Sequence, residues 1–157
     1  MKLEQKTETE IKGKNYFSFC DSLIRYTILS DATIQLEILS GKNKNEKFVF
    51  DFDRENNSLI LGRAHCNKKN SVALKGEGIS RIQTTIRYKN NKFYISDDIS
   101  ANGTWLMISE TTLLKENMIL QIGSTMFKVN FSSYKEQKVE NINNQNNEKF
   151  IIIYVIS

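Results

Sequence analysis

Apolar and polar residues alternate in short bursts along most of this chain. In Thr33-Ile34-Gln35-Leu36-Glu37-Ile38 the apolar side chains fall on one face at period two, as in a half-buried strand. Lys47 to Asp53 repeats the pattern, with Phe48, Phe50 and Phe52 set against Val49 and Asp51, and the three rings are expected in the core. Leu59-Ile60-Leu61 is a short apolar run ended by Gly62. Thr84 to Tyr88 and Lys92 to Ser96 flank Lys89-Asn90-Asn91, which predicts a hairpin with an Asn turn. Thr125, Phe127, Val129 and Phe131 share a face near the end. Short strands at close spacing, without long helical patterns between them, predict an all-β fold. The expected form is a β-sandwich or barrel, the first of these being a two-sheet antiparallel β-sandwich with its loops gathered at the two ends.

The flanks read differently. Tyr16, Phe19, Cys20, Leu23 and Tyr26 would share one face of a helix, yet Leu23 to Leu29 suits an edge strand equally well, and the pattern leaves both open. Residues 134–149 are polar, rich in Asn and Gln and without periodicity, which predicts a flexible linker. The tail, residues 150–157, carries the apolar run Phe150 to Ile156, which is far too short to span a bilayer. Left exposed it would be an aggregation hazard, so it is expected to be covered. The organisation expected is a partly ordered N-terminal extension over 1–31, a domain over 32–133, the linker and the tail.

Composition narrows the class. With 39% hydrophobic and 25% charged residues, the chain is expected to fold as a soluble protein. A net charge of +4 favours acidic or phosphorylated partners, but the Lys and Arg residues are scattered rather than run together, which argues against nucleic acid. Two cysteines, Cys20 and Cys66, without a spacing pattern or a preceding apolar signal segment, suggest an intracellular setting, cytoplasmic or nuclear, and no disulfide. Cys20, His65 and Cys66 leave a structural zinc site one ligand short. Asp97-Asp98 has no matching carboxylate cluster or nucleophile, and no nucleotide-cradling loop occurs, so neither an enzyme nor a cofactor is expected.

Three loop-like segments carry the candidate chemistry: Gly62-Arg63, Ser80-Arg81, and Ser100-Ala101-Asn102-Gly103-Thr104-Trp105. They offer two guanidiniums, a hydroxyl and a carboxamide between strands. A phosphorylated side chain presents three acceptor oxygens and a charge of about −1.5 to −2, which the planar donor fork of arginine matches. Each group also has an ordinary reading. Arg63 and Arg81 suit a solvated surface, Ser80 a turn cap, and Asn102-Gly103 a tight turn.

The ordered set Leu61-Gly62-Arg63, Ile79-Ser80-Arg81-Ile82-Gln83 and Asp98 through Leu106, with Leu114 to Gly123 as a closing hairpin, resembles the forkhead-associated (FHA) domain. The resemblance covers about Thr33 to Phe131 and implies a sandwich that binds phosphothreonine peptides through loops at one end. It implies that Arg63 pairs with the phosphate and that Ser80 donates its hydroxyl to it. Arg81 would add a further phosphate contact, and Asn102 would hold the peptide backbone. Gly62 and Gly103 would support the loops structurally, and Trp105 would buttress them. Three departures stand out. Gln83 occupies the place where the family has a bracing His, Ala101 the place of a phosphate-contacting Thr or Ser, and Met107-Ile108-Ser109 that of an Asn-Gly turn. They motivate the alternative of an FHA-like scaffold that binds partners without phosphate.

Overall fold

The alternating stretches form strands, and a computed structural model describes them over residues 1–64, 70–109, 111–133 and 149–156. Thirteen strands and no helix occur among the described residues, so nothing there is a helix long and apolar enough to cross a membrane. The chain divides into two compact units, Lys2–Ser109 and Glu110–Ser157 with Met1.

The first unit is built from two five-stranded sheets. One comprises β2 (Lys14–Phe19), β3 (Ser22–Ser30), β4 (Thr33–Ile38), β5 (Lys47–Asp51) and β10 (Trp105–Leu106), in the order β10-β2-β3-β4-β5, with every pair antiparallel. The other comprises β1 (Thr9–Ile11), β6 (Ser58–Arg63), β7 (Val72–Leu74), β8 (Thr84–Lys89) and β9 (Lys92–Asp97), in the order β1-β9-β8-β6-β7, with β6 and β7 parallel. The alternation in the sequence maps onto burial. Ile34, Leu36 and Ile38 of β4 are buried while Thr33, Gln35 and Glu37 are half-exposed. Phe17, Phe19, Ile24 and Tyr26 join the core from the first sheet, and Leu59, Leu61, Ile86, Phe93 and Ile95 from the second. Each such side chain contributes about 1.5–3 kcal/mol when removed from water.

The segment left open between helix and edge strand is neither. It forms the β2–β3 hairpin, and β3 lies in the middle of its sheet, paired on both sides. The inward residues fall at 17 and 19, then at 24 and 26, because the Cys20-Asp21 turn shifts the phase of the alternation. Of the five residues that would share a helix face, only Phe19 and Tyr26 are buried. The domain start expected at residue 32 falls in the turn between the paired strands β3 and β4, so residues 9–30 belong to the same sheets.

The aromatic stripe needs a correction as well. Phe52 is buried and meets Phe93 edge-on, with ring centroids 5.4 Å apart. Phe48 and Phe50 are only half-buried and stack on each other, because β5 is the outer strand of its sheet and has no neighbour on one flank. The predicted hairpin forms as β8–β9, where Asn90 (φ 52°) and Asn91 (φ 57°) make a two-residue turn in the left-handed region. That turn matches the twist of the strands it joins.

The second unit is one antiparallel sheet of β11 (Ile119–Ile122), β12 (Thr125–Ser133) and β13 (Lys149–Ile156). The apolar tail thus pairs with β12, from Met126↔Ile156 to Ser133↔Lys149. Of the four residues expected to share a face, Val129 is buried and Phe131 is 40% exposed. The linker expected over 134–149 lies outside the described residues up to 148, as do His65 and Cys66. Cys20 is a free, exposed thiol.

Candidate functional site

Three connections converge where β6, β8 and β9 meet: the end of β6 with Gly62-Arg63, the β7–β8 loop with Ser80-Arg81, and the β9–β10 loop with residues 98–104. Ser80 stands between the other two. Its carbonyl accepts the Arg63 N–H at 2.9 Å, and its Oγ accepts the Ala101 N–H at 3.0 Å. Because the hydroxyl oxygen takes that bond as acceptor, its own proton remains available to an incoming oxygen. Arg63, Arg81 and Asn102 are exposed, while Ser80 is half-buried. Asn102 Nδ2 donates to the Gly78 carbonyl at 3.1 Å and lies 3.6 Å from Cys20 Sγ, which ties the loop to the β2–β3 turn.

Gln83 holds the arrangement from below. It is fully buried; its Oε1 accepts the Ser80 N–H at 3.0 Å and its Nε2 donates to the Gly103 carbonyl at 3.2 Å. Its backbone N–H donates to Leu61, and its carbonyl accepts from Asp98. One carboxamide thereby satisfies a donor in one loop and an acceptor in another, which requires a side chain carrying both functions.

The glycines have separate reasons. A Cβ on Gly62 would fall on the Arg81 carbonyl oxygen and within 2.7 Å of Asn70 Nδ2, so the two loops approach over this residue. Gly103 has φ +77°, and a Cβ there would strike the stem of Lys2. Trp105 is half-buried on β10, opposite Ser18 and bridged to Lys2.

Two residues that sequence reasoning passed over also organise the site. Asp97 is fully buried. Its Oδ1 accepts the Ser100 N–H at 2.9 Å, and its Oδ2 accepts the hydroxyls of Ser100 at 2.6 Å and Thr104 at 2.8 Å. Weighed in the sequence only as part of an unsupported acid pair with Asp98, it is the anchor of the β9–β10 loop, while Asp98 accepts the Thr85 hydroxyl. The other is Asn70, whose Nδ2 donates to the carbonyls of Arg63 and Arg81. A single Asn in a polar stretch gives no signal of that. Among the described residues, no group of three or more His, Cys, Asp or Glu side chains is placed to hold a metal ion.

The family model of the FHA domain matches residues 59–123 of the chain, from the second residue of β6 to the turn that follows β11. No curated protein and no solved structure matches it.

Proposed function

We propose that this chain, which carries an FHA domain, is a non-catalytic reader of phosphothreonine in partner proteins, acting in signalling or regulated assembly. FHA domains are phosphopeptide-binding interaction modules. The observation that carries the finer reading is the pair of bonds to Ser80, which brings the Arg63 backbone and the Ala101-Asn102 backbone to the same serine.

In this reading the Arg63 guanidinium pairs with the phosphate, the Ser80 hydroxyl donates to one of its oxygens, and Arg81 supplies a further contact. Asn102 holds the peptide backbone. The Arg81 side chain has no acidic partner among the described residues, which leaves its donors for an anion. Gln83, Gly62, Gly103 and Trp105 support the loops. Ala101 brings no hydroxyl, which removes one charge-assisted bond of about 1.5–3 kcal/mol relative to a Thr or Ser there. Its N–H instead orients the Ser80 hydroxyl. Burying the threonine methyl adds about 0.8 kcal/mol, so preference over phosphoserine also requires a restricted rotamer.

The test is titration of a phosphothreonine peptide from an oriented library, and of its unphosphorylated twin, into wild type and Arg63→Ala. Wild type is expected to bind only the phosphorylated form. The variant is expected to lose at least about tenfold in affinity, the equivalent of one charge-assisted bond. Undiminished phosphopeptide binding by Arg63→Ala would overturn the site. Equal binding of both peptides by wild type would favour the phosphate-independent scaffold.

A further inference from the structure

We infer that Asn70 is a positioning residue of the phosphate site, one that sets the roots of both arginines at once; the inference rests on the phosphopeptide reading above. Asn70 Nδ2 carries two hydrogens and has two acceptors, the Arg63 carbonyl at 3.2 Å and the Arg81 carbonyl at 2.9 Å. These are the backbone oxygens of the two residues whose guanidiniums the site uses. The Arg63 N–H is already held by the Ser80 carbonyl. With Asn70 on its carbonyl, both peptide groups around the Arg63 Cα are tied, and the direction in which its side chain leaves the backbone is set.

Gly62 belongs to the same device. Asn70 Nδ2 and the Arg81 carbonyl meet over its Cα, in space that a Cβ would fill. The Asn70 Oδ1 is buried and has no hydrogen-bond partner among the described residues. Folded proteins leave few buried polar atoms unpaired. Serine or threonine would present one donor where two carbonyls must be met, and aspartate none. Asparagine meets both. The functional gain is preorganisation: a long, rotamer-rich side chain binds an anion better when its root does not move.

Asn70→Asp keeps the size and removes the donors, and it sets carboxylate oxygens against two carbonyl oxygens. Phosphothreonine-peptide affinity is expected to fall about tenfold or more, and the plain peptide is expected not to bind, as with wild type. Asn70→Ala, which removes the donors without adding charge, is expected to lose less than Asn70→Asp. Each affinity is compared at a temperature where thermal unfolding shows the variant folded. In an Arg81→Ala background the loss from Asn70→Asp should shrink, because one of the roots it sets no longer carries a guanidinium.

Affinities that multiply independently, or an unchanged affinity in both Asn70 variants, would overturn the inference and leave the phosphopeptide reading standing. So would a loss that follows the unfolded fraction in both. A wild type that binds both peptides equally would remove the reading itself, and the inference with it.

Discussion

Asp97 is the residue on which the β9–β10 loop hangs. A carboxylate removed from water needs its oxygens occupied, and Asp97 has three donors within the loop that follows it. Its own carbonyl also accepts the Lys6 N–H, which draws the N-terminal residues behind the loop. Asp97→Ala leaves a backbone N–H and two hydroxyls to find new partners. Chemical denaturation is expected to show a loss of about 3 kcal/mol, given about 1–3 kcal/mol for each buried group left unsatisfied. A loss below about 1 kcal/mol would mean that water or the loop itself replaces the carboxylate. At this scale residue type and order make a pattern at Arg63, Ser80 and Asn102, the residues proposed to bind. It was mute at Asn70 and Asp97, whose importance lies in partners 7 and 11 residues away for the one and up to 7 for the other. Asn70, Arg81, Ser100 and Thr104 lie outside the strands, where no periodicity in the sequence marks a partner.

At the scale of elements, β3, β4 and β5 carry a ladder of charge. Arg25, Glu37 and Lys47 stand in register across the three strands, with Glu37 bonded to Arg25 and 3.5 Å from Lys47. Directly opposed opposite charges stabilise strand pairing modestly. The hydrogen bond from Arg25, followed by the charges of Arg25 and Lys47, holds the Glu37 carboxyl below the usual glutamate range. A carboxyl whose pKa is lower in the folded state stabilises the fold fully above its unfolded value of about 4.3. That contribution disappears as pH falls through the lower folded value. Glu37→Gln should therefore narrow the drop in thermal midpoint between pH 6 and pH 3, with a smaller change near neutrality. An identical acid limb in wild type and variant would contradict this. Alternation revealed β4, β8 and β9 in the sequence because the outward side chains of those strands are polar. It misled over residues 16–29, where a two-residue turn shifted the phase, and over Phe48 and Phe50, because period two gives a face but not whether that face is covered.

For the whole molecule, the residues proposed to bind and support phosphopeptide all lie in the unit Lys2–Ser109, whose two sheets share one core. The family match continues past it, to residue 123. A fragment of residues 2–109 is expected to unfold in a single cooperative transition and to bind phosphothreonine peptide within about threefold of the full chain, well under the 1.4 kcal/mol that a tenfold change represents. Calorimetry and titration check both points, and a fragment that folds but no longer binds would assign part of the site to residues 110–157. What the amino-acid order determined by itself was the β class, the hairpin at Asn90-Asn91 and the identity of the candidate anion-binding side chains, because period two, turn chemistry and a motif's spacing are all written in neighbouring residues. The tertiary structure alone decided that β3 runs through the middle of a sheet, that Gln83 joins two loops, and that Asn70 reaches two carbonyls across Gly62. Each of these is a choice of partner between distant segments, decided by which surfaces bury each other and which buried polar groups must be satisfied, and no local pattern records it.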